Sequence, residues 1–389
     1  MKRKPLFRLS VSVGATVLTL PLMVSAQIKV GITVASTGPA ASLGIPQRNT
    51  VSLLPTDIGG QKIEYIVLDD GTDTEAALRN MRRLIDDNNV DIIVGTSVSA
   101  GSFAMVDAAG ETQTPMISLA ADAGIVEPVE GARQWVYKTP QSNELMAELL
   151  AAAMVRHGVK TLAFIGYDDA YGESWLNAMT AAAELEGISV VAVERYARTD
   201  ASVTGQVLKL FDAKPDGILV AASGTPAALP QSELKSRGYK GIMYQTHGAA
   251  SNDVLRACGK DCNDMYLPAG PLLVAGQLAD DHPVKAAALD YKAKYEAKYG
   301  PGTVDAFGGH MWDAALLIGA AVPEALETGA RPGTLEFRQA LRDSLEQIED
   351  FPASQGVFTM SPTDHAGLDD RARVMVKVVD GRWVYRPDP

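Results

Sequence analysis

The chain has 389 residues, 47% of them hydrophobic and 21% charged, enough for a large core and for more than one domain. Four of its 35 basic residues fall in the first eight positions; without them 31 basic side chains stand against 47 acidic ones, a net charge of −16. A balance that acidic argues against nucleic acid or an anionic membrane as a partner.

Lys2, Arg3, Lys4 and Arg8 form a basic start, Leu9–Val24 is apolar, and Val24-Ser25-Ala26 offers small residues for cleavage. That is the pattern of a secretory signal peptide over residues 1–26. The apolar part is short and broken by Pro21, unlike a spanning anchor. No cysteine follows the cleavage point, which argues against a lipid anchor, and no stable membrane insertion is expected. The mature chain then starts near Gln27.

Ile28–Val34 reads as a buried strand running into Ser36-Thr37-Gly38-Pro39, a turn-rich loop expected to continue through Gly44. Ile63–Leu68 is a second strand, ending on Asp69-Asp70. Thr74–Asn88 has helical spacing, with Ala77, Leu78, Met81, Leu84 and Ile85 on one face. Asp91–Gly95 is a third strand, breaking into Thr96–Ser102, where the hydroxyls of Thr96, Ser97, Ser99 and Ser102 precede a short helix over Ser102–Gly110. A strand, a small-residue turn and a helix start leave backbone N–H groups facing outward, which suits a carboxylate. Pro115–Leu119 is a fourth strand, leading into Ala120-Ala121-Asp122.

The pattern then restarts. Helices are expected at Asn143–His157, Glu173–Glu186, Val203–Phe211 and around Ala228–Arg237. Strands are expected at Thr161–Tyr167, Ser189–Tyr196, Gly217–Ala222 and Ile242–Gln245. Two such alternating runs imply two α/β lobes, each a parallel sheet covered on both faces. Cys258 and Cys262, in RACGKDC, are read as a local disulfide in an exported chain, with two free thiols as the alternative. After Gly270 come helices at Pro283–Tyr299, Ala306–Glu327 and Leu335–Gln347. Strands follow at Val357–Met360, Arg373–Val379 and Trp383–Tyr385. The late helices are expected to complete the first lobe and the terminal strands to join the second, so that the chain crosses between lobes three times.

Ligands of open parallel sheets sit beyond the carboxyl ends of the strands. Those positions here hold Ser36–Gly38, Thr96–Ser99 and Ala120–Asp122 in the first lobe. In the second they hold Asp168–Tyr171, Ser223–Thr225 and Thr246-His247. Neutral donors and one aromatic suit a small ligand with a polar head. Each residue has a plainer reading: Ser97 and Ser99 as helix caps, Tyr171 as packing, His247 as a structural histidine. Tyr171, beside glycine on a loop, leans towards an exposed surface. Enzyme signatures are missing: there is no G-x-S-x-G, Walker loop, H-E-x-x-H or dinucleotide glycine motif, and the five histidines lack metal spacing. No cofactor or metal is expected. A cross-lobe Ser99, His247, Asp122 hydrolase site has nothing positive behind it.

The chain resembles the type I periplasmic solute-binding proteins of branched-chain-amino-acid ABC transporters. The likeness rests on Ser36–Pro39 with Gly44, Leu68–Asp70, Val94-Gly95 with the Ser97–Ser102 loop, Pro115–Ser118, Asp169–Gly172, and Tyr291–Tyr299 followed by Asp305–Trp312. The resemblance implies two Rossmann-like lobes, 27–139 plus 270–352 and 140–269 plus 353–389, joined by a three-segment hinge. It implies a periplasmic protein that delivers a ligand to ABC permease and ATPase subunits. Its site would comprise Leu43, Ser97, Ser99, Ala120, Ala121, Asp122, Tyr171, Gly224, Thr225 and His247. The ligand carboxylate would meet Ser99 and Ala120–Asp122, and Tyr171 would face it from the second lobe.

Where amino-acid binders of this family place an acid for the ligand ammonium, this chain has His247. Together with YQTHG at Tyr244–Gly248, LPAGPL at Leu267–Leu272 and a Gly44–Asp57 stretch carrying Pro46 and Pro55, that substitution is similar to a branch associated with aromatic acids. A histidine can donate to a phenol or carboxylate, and Tyr171 can stack on a ring. The alternatives are an aliphatic amino acid with Asp122 holding its ammonium, and a ligand-sensing partner of a signalling protein.

Overall fold

The computed structural model describes residues 27–387 together with Met1; the expected signal peptide lies outside the described residues. Strands are labelled in chain order: β1 Ile28–Val34, β2 Asp57–Ile58, β3 Gln61–Asp69, β4 Ile92–Gly95, β5 Met116–Ser118, β6 Val136–Lys138, β7 Thr161–Tyr167, β8 Ser189–Tyr196, β9 Gly217–Ala221, β10 Ile242–Gln245, β11 Tyr266–Ala269, β12 Phe351–Pro352, β13 Val357–Phe358, β14 Val374–Val379 and β15 Arg382–Tyr385. The first six form one sheet in the order β2-β3-β1-β4-β5-β6, parallel except for the β2–β3 hairpin. A second sheet runs β15-β14-β11-β10-β9-β7-β8, with β14 and β15 antiparallel to their neighbours. This is an α/β architecture of two parallel-sheet lobes.

Both sheets explain where a ligand would go. β1 pairs with β3 on one side and β4 on the other, and β7 likewise pairs with β8 and β9. The chain therefore leaves β1 and β4, or β7 and β9, in opposite directions, opening a crevice at the strand ends between them. Ser36, Ser97 and Ser223 lie in the loops after β1, β4 and β9, and Tyr171 in the first turn of the helix that follows β7.

Apolar runs built the strands as expected, but element starts differ from the sequence reading. The expected loop through Gly44 is a helix, Ala41–Val51, with Pro46 inside it and Leu43 in its first turn. The Ser99–Thr112 helix begins three residues earlier than read, so Ser99 belongs to its first turn. The Ala170–Leu185 helix also starts earlier, capped by the Asp169 carboxylate, which accepts from Tyr171 and Gly172 N–H groups. Tyr171 is therefore buried on a first helical turn rather than exposed on a loop. Strands β2, β6, β11 and β12 have no counterpart in the sequence reading; β6 is only three residues long and ends on a lysine.

The late segment divides differently. β13 pairs only with β12, and Ala353, Phe358 and Met360 pack with first-sheet residues Ile32 and Ile117 and with the Ala306–Glu327 helix. Ala366 joins the apolar layer on the opposite face of that sheet. Residues 353–366 thus sit with the first lobe, not the second as the division at 352/353 implied, and only β14 and β15 join the second sheet. Cys258 and Cys262 are disulfide-bonded, their Cα atoms 5.5 Å apart.

Three segments link the sheets: after β6, after β11 and before β14. They are tied together, since Gln141 Nε2 donates to the carbonyls of Gln355 (3.1 Å) and Ala372 (2.9 Å). A Cβ on Gly270 would come within 2.0 Å of Gln355 Oε1 and 2.8 Å of Gln141 Nε2, so a larger residue there would have to displace both glutamine side chains. The Asp313 carboxylate accepts from Ser354 N (2.7 Å) and Gln355 N (2.9 Å), fixing the β12–β13 turn to the Ala306–Glu327 helix.

Burial pushes Asp313 and Asp305 up to about 7. A carboxyl raised in the folded state stabilises the fold fully below its unfolded value, and that contribution is lost as pH rises through about 7. Between roughly pH 5 and pH 8 the buried His247 and His310, held down to about 3, act in the opposite sense, so the Asp313 contribution is read as a difference: the melting temperature of Asp313→Asn relative to the native chain is expected to rise across that range. Melting curves of both proteins across that range check it; a difference between them that does not change with pH would refute it.

Candidate ligand-binding site

A narrow cavity lies between the lobes. The first lobe lines it with Leu43, Ser97, Val98, Ser99, Leu119, Ala120 and Ala121, and the second with Tyr171, Arg198, Ser223, His247 and Gly248. Pro140 of the first crossing and Phe307 and His310 of the Ala306–Glu327 helix complete it. The lobes touch: Thr225 N donates to Ser42 Oγ (3.0 Å) and Asn252 Nδ2 to Gly302 O (2.7 Å).

Not every predicted hydroxyl is available. Thr96 Oγ1 donates to Asp70 Oδ2. Ser102 Oγ bonds Ser118 Oγ (2.8 Å), while Ser97 Oγ donates to Gln47 and accepts from Ala35 N (3.0 Å). Ser97 therefore lines the cavity with its hydroxyl already committed. Ser99 Oγ is buried and has no hydrogen-bond partner among the described residues. It sits where the helix starts: Ser102 N makes the first helical bond, to Val98 O, so the N–H groups of Ser99, Ala100 and Gly101 precede any intrahelical acceptor. The positive end of the helix and the free hydroxyl coincide.

The opposite wall is aromatic and neutral. Tyr171 Oη is bonded to Thr246 Oγ1 (2.8 Å), which leaves its ring as the contact surface; burial raises its phenol far above the usual range. His247 follows β10, with its ring centroid 5.6 Å from that of Trp175. Burial, then the nearby His310 and Lys138, pushes His247 down to about 3; burial and Lys138 do the same to His310. Both imidazoles are neutral at physiological pH. Their Nδ1 atoms have no hydrogen-bond partner among the described residues. Arg198 is held by Asp169 (2.6 Å) and Ser223 Oγ (2.9 Å), with its guanidinium 4.0 Å from the Tyr167 ring centroid. It stiffens the wall as a paired cation.

Three predicted site residues stand elsewhere. Asp122 does not line the cavity; its carboxylate caps Gly124 N (2.9 Å). Gly224 and Thr225 form the lobe-to-lobe contact. Gly224 has φ +64°, and a Cβ there would come within 2.4 Å of Ser42 Oγ and 2.6 Å of Leu43 Cδ1. Sequence reasoning missed His310 and Phe307, which come from a helix start rather than a strand end. A hydrolytic arrangement is not assembled, because Ser99 Oγ and His247 Nδ1 bond neither each other nor Asp122. Among the described residues no Asp or Glu lines the cavity, and no three His, Cys, Asp or Glu side chains cluster as metal ligands.

A family model described as "Periplasmic binding protein" matches residues 27–382. An extracellular ligand-binding receptor from Rhodopseudomonas palustris HaA2 is 44% identical, with a TM-score of 0.89, over 92% of this chain and 99% of that one. A solute-binding protein of an R. palustris ABC transporter, solved with benzoate, is 21% identical, with a TM-score of 0.79, over 92% of this chain and 95% of that one. A branched-chain amino acid transporter substrate-binding protein from Streptococcus pneumoniae, solved with isoleucine, is 18% identical, with a TM-score of 0.77, over 92% of this chain and 100% of that one. The last two are likenesses of fold. Among curated proteins none matches.

Proposed function

Since the chain belongs to the periplasmic binding protein family, whose model spans residues 27–382, we propose that it is the periplasmic receptor of an ABC importer and that its cargo is a small aromatic carboxylate, benzoate- or phenylpropenoate-like. The fold alone does not choose a ligand, since related folds hold benzoate in one protein and isoleucine in another. The choice comes from the cavity wall, and one observation carries it. The wall carries the unpartnered Ser99 hydroxyl at a helix start and two neutral histidines, and among the described residues it carries no carboxylate.

An α-amino acid brings an ammonium that must leave water. Without an acidic partner that costs several kcal/mol, of order the penalty for a buried unpaired charge. An aromatic acid brings only the carboxylate. Its head would take the Ser99 hydroxyl and helix-start N–H groups, and its ring would lie among Leu43, Leu119, Tyr171 and Phe307. His247 and His310 would then meet a ring oxygen or the ring edge. Lobe closure would bury the ligand, and the permease would read the closed form.

Calorimetric titration with benzoate, 4-hydroxybenzoate, 4-hydroxycinnamate and leucine tests this. At least one aromatic acid is expected to bind with a Kd in the micromolar range or below, with leucine at least ~100-fold weaker, the discrimination set by the ammonium penalty. Tight leucine binding without an aromatic response would sink the proposal.

A further inference from the structure

Lys138, the last residue of β6, has no exposed surface, and among the described residues no carboxylate comes within 4 Å of its ammonium. Its Nζ instead donates to the carbonyl oxygens of Ala121 (3.1 Å) and Pro140 (2.8 Å). Both residues line the ligand cavity, Ala121 on the first lobe and Pro140 on the crossing segment; Lys138 lies one layer behind them. A fully buried, unpaired ammonium is costly unless something compensates it. The position of this one makes an anion in the cavity the natural compensation.

We propose that Lys138 is the buried counter-charge of the ligand carboxylate, a positioning residue that acts through the cavity wall without touching the ligand. It does two things. Its two donors draw the Ala121 and Pro140 carbonyl oxygens back towards itself, where those dipoles would otherwise oppose an anion. Its charge, screened poorly in a dry interior, adds a field that favours a carboxylate and disfavours an ammonium. The field reaches the cavity, since it helps keep His247 and His310 uncharged.

Other charges face Lys138 at longer range. They are Asp122 on the loop after β5, Glu127 beyond it, Glu144 in the first turn of the Asn143–Arg156 helix, and Asp364 in the loop before β14. Glu127 opens onto a separate surface hollow with Pro128, Glu130 and Thr363. On the cavity side stand the two neutral histidines and Arg198, whose guanidinium is paired with the Asp169 carboxylate. Burial outweighs the four acids and holds the Lys138 ammonium down to about 8, so its charge can be removed in solution without unfolding at extreme pH.

The inference rests on the reading of the cavity as an anion site, and the test separates the two. The probe is whichever of benzoate, cinnamate and leucine binds the native chain at pH 7. Lys138→Met keeps the length of the side chain and removes the charge. It is expected to raise Kd about 10-fold at pH 7, and the variant-to-native ratio to shrink towards one near pH 9.5, as native Lys138 loses its own proton. Taking the ratio cancels any titration of the ligand. A ratio near one at pH 7, or a ratio that does not change with pH, would overturn the inference, the second result being that of a merely structural lysine. Should the variant not fold, the native protein suffices: its affinity for the acid that binds, benzoate or cinnamate, neither of which has a proton to lose in this range, must fall as pH rises through about 8, and a flat profile overturns the proposal. Binding of none of the three probes overturns both readings; binding of leucine alone overturns only the aromatic one.

Discussion

Ser99→Ala is expected to weaken binding of an aromatic carboxylate by about 10- to 100-fold, the worth of one hydrogen bond to a charged group, ~1.5–3 kcal/mol. The same change should leave the melting temperature of the ligand-free chain unchanged or slightly higher. The opposite signs come from one fact. The Ser99 hydroxyl is buried without a partner among the described residues, so in the free protein it costs stability, and only a ligand acceptor can repay it. Its neighbours cannot stand in, since Thr96, Ser97 and Ser102 are bonded to Asp70, Gln47 and Ser118. Ser97→Ala should therefore do the reverse: lower stability by ~1 kcal/mol through the orphaned Ala35 N–H and Gln47, with a smaller loss of affinity. Calorimetric titration and thermal melting of the two variants decide it. An affinity for Ser99→Ala within twofold of the native value would remove Ser99 from the anion site.

The rule that ligands gather beyond strand ends made much of this site legible, and its failures have physical causes. Tyr171 and His247 follow β7 and β10, strands whose apolar runs are unmistakable, and both reach the cavity. His310 and Phe307 could not be found that way. They lie in the first turns of a helix over 160 residues after the first sheet's last strand, brought to the cavity by tertiary packing alone. A signal was present in Asp305, a helix-capping residue ahead of Phe307 and His310, but a cap announces only where a helix starts. Lys138 was hidden because β6 has three residues, too few to show a period. The hydroxyl-rich stretch misled in a different way. Composition showed four side-chain donors, whereas burial decides which are spent on the protein itself. Gly224 and Thr225 were read as ligand contacts for the same reason: a strand-end position places a residue at the cleft but does not say whether it meets a ligand or the other lobe.

His247→Asp should produce the largest change in what the protein binds. The native imidazole is buried and, held down to about 3, neutral. Replacing it with a carboxylate puts a second negative charge in the cavity of an anionic ligand. At ~6 Å separation and an effective dielectric of ~20, the repulsion is ~3 kcal/mol, or about 100-fold in the affinity of an aromatic acid. The variant has the means to avoid that cost by taking up a proton, because the site that depresses a histidine raises a carboxyl. Loss of aromatic-acid affinity is therefore expected to deepen from about pH 5 to pH 8, the interval over which such a buried acid ionises. The same carboxylate gives an ammonium the partner that the native cavity lacks, so leucine affinity should rise as aromatic affinity falls. His247→Asn isolates the charge: it keeps a neutral donor of similar shape, and should cost less than ~10-fold with no gain for leucine. Titration of both variants with benzoate, 4-hydroxycinnamate and leucine at the two pH values distinguishes the cases. If Asp and Asn behave alike, His247 acts by shape rather than by withholding a charge, and the ammonium argument for the aromatic class loses its footing.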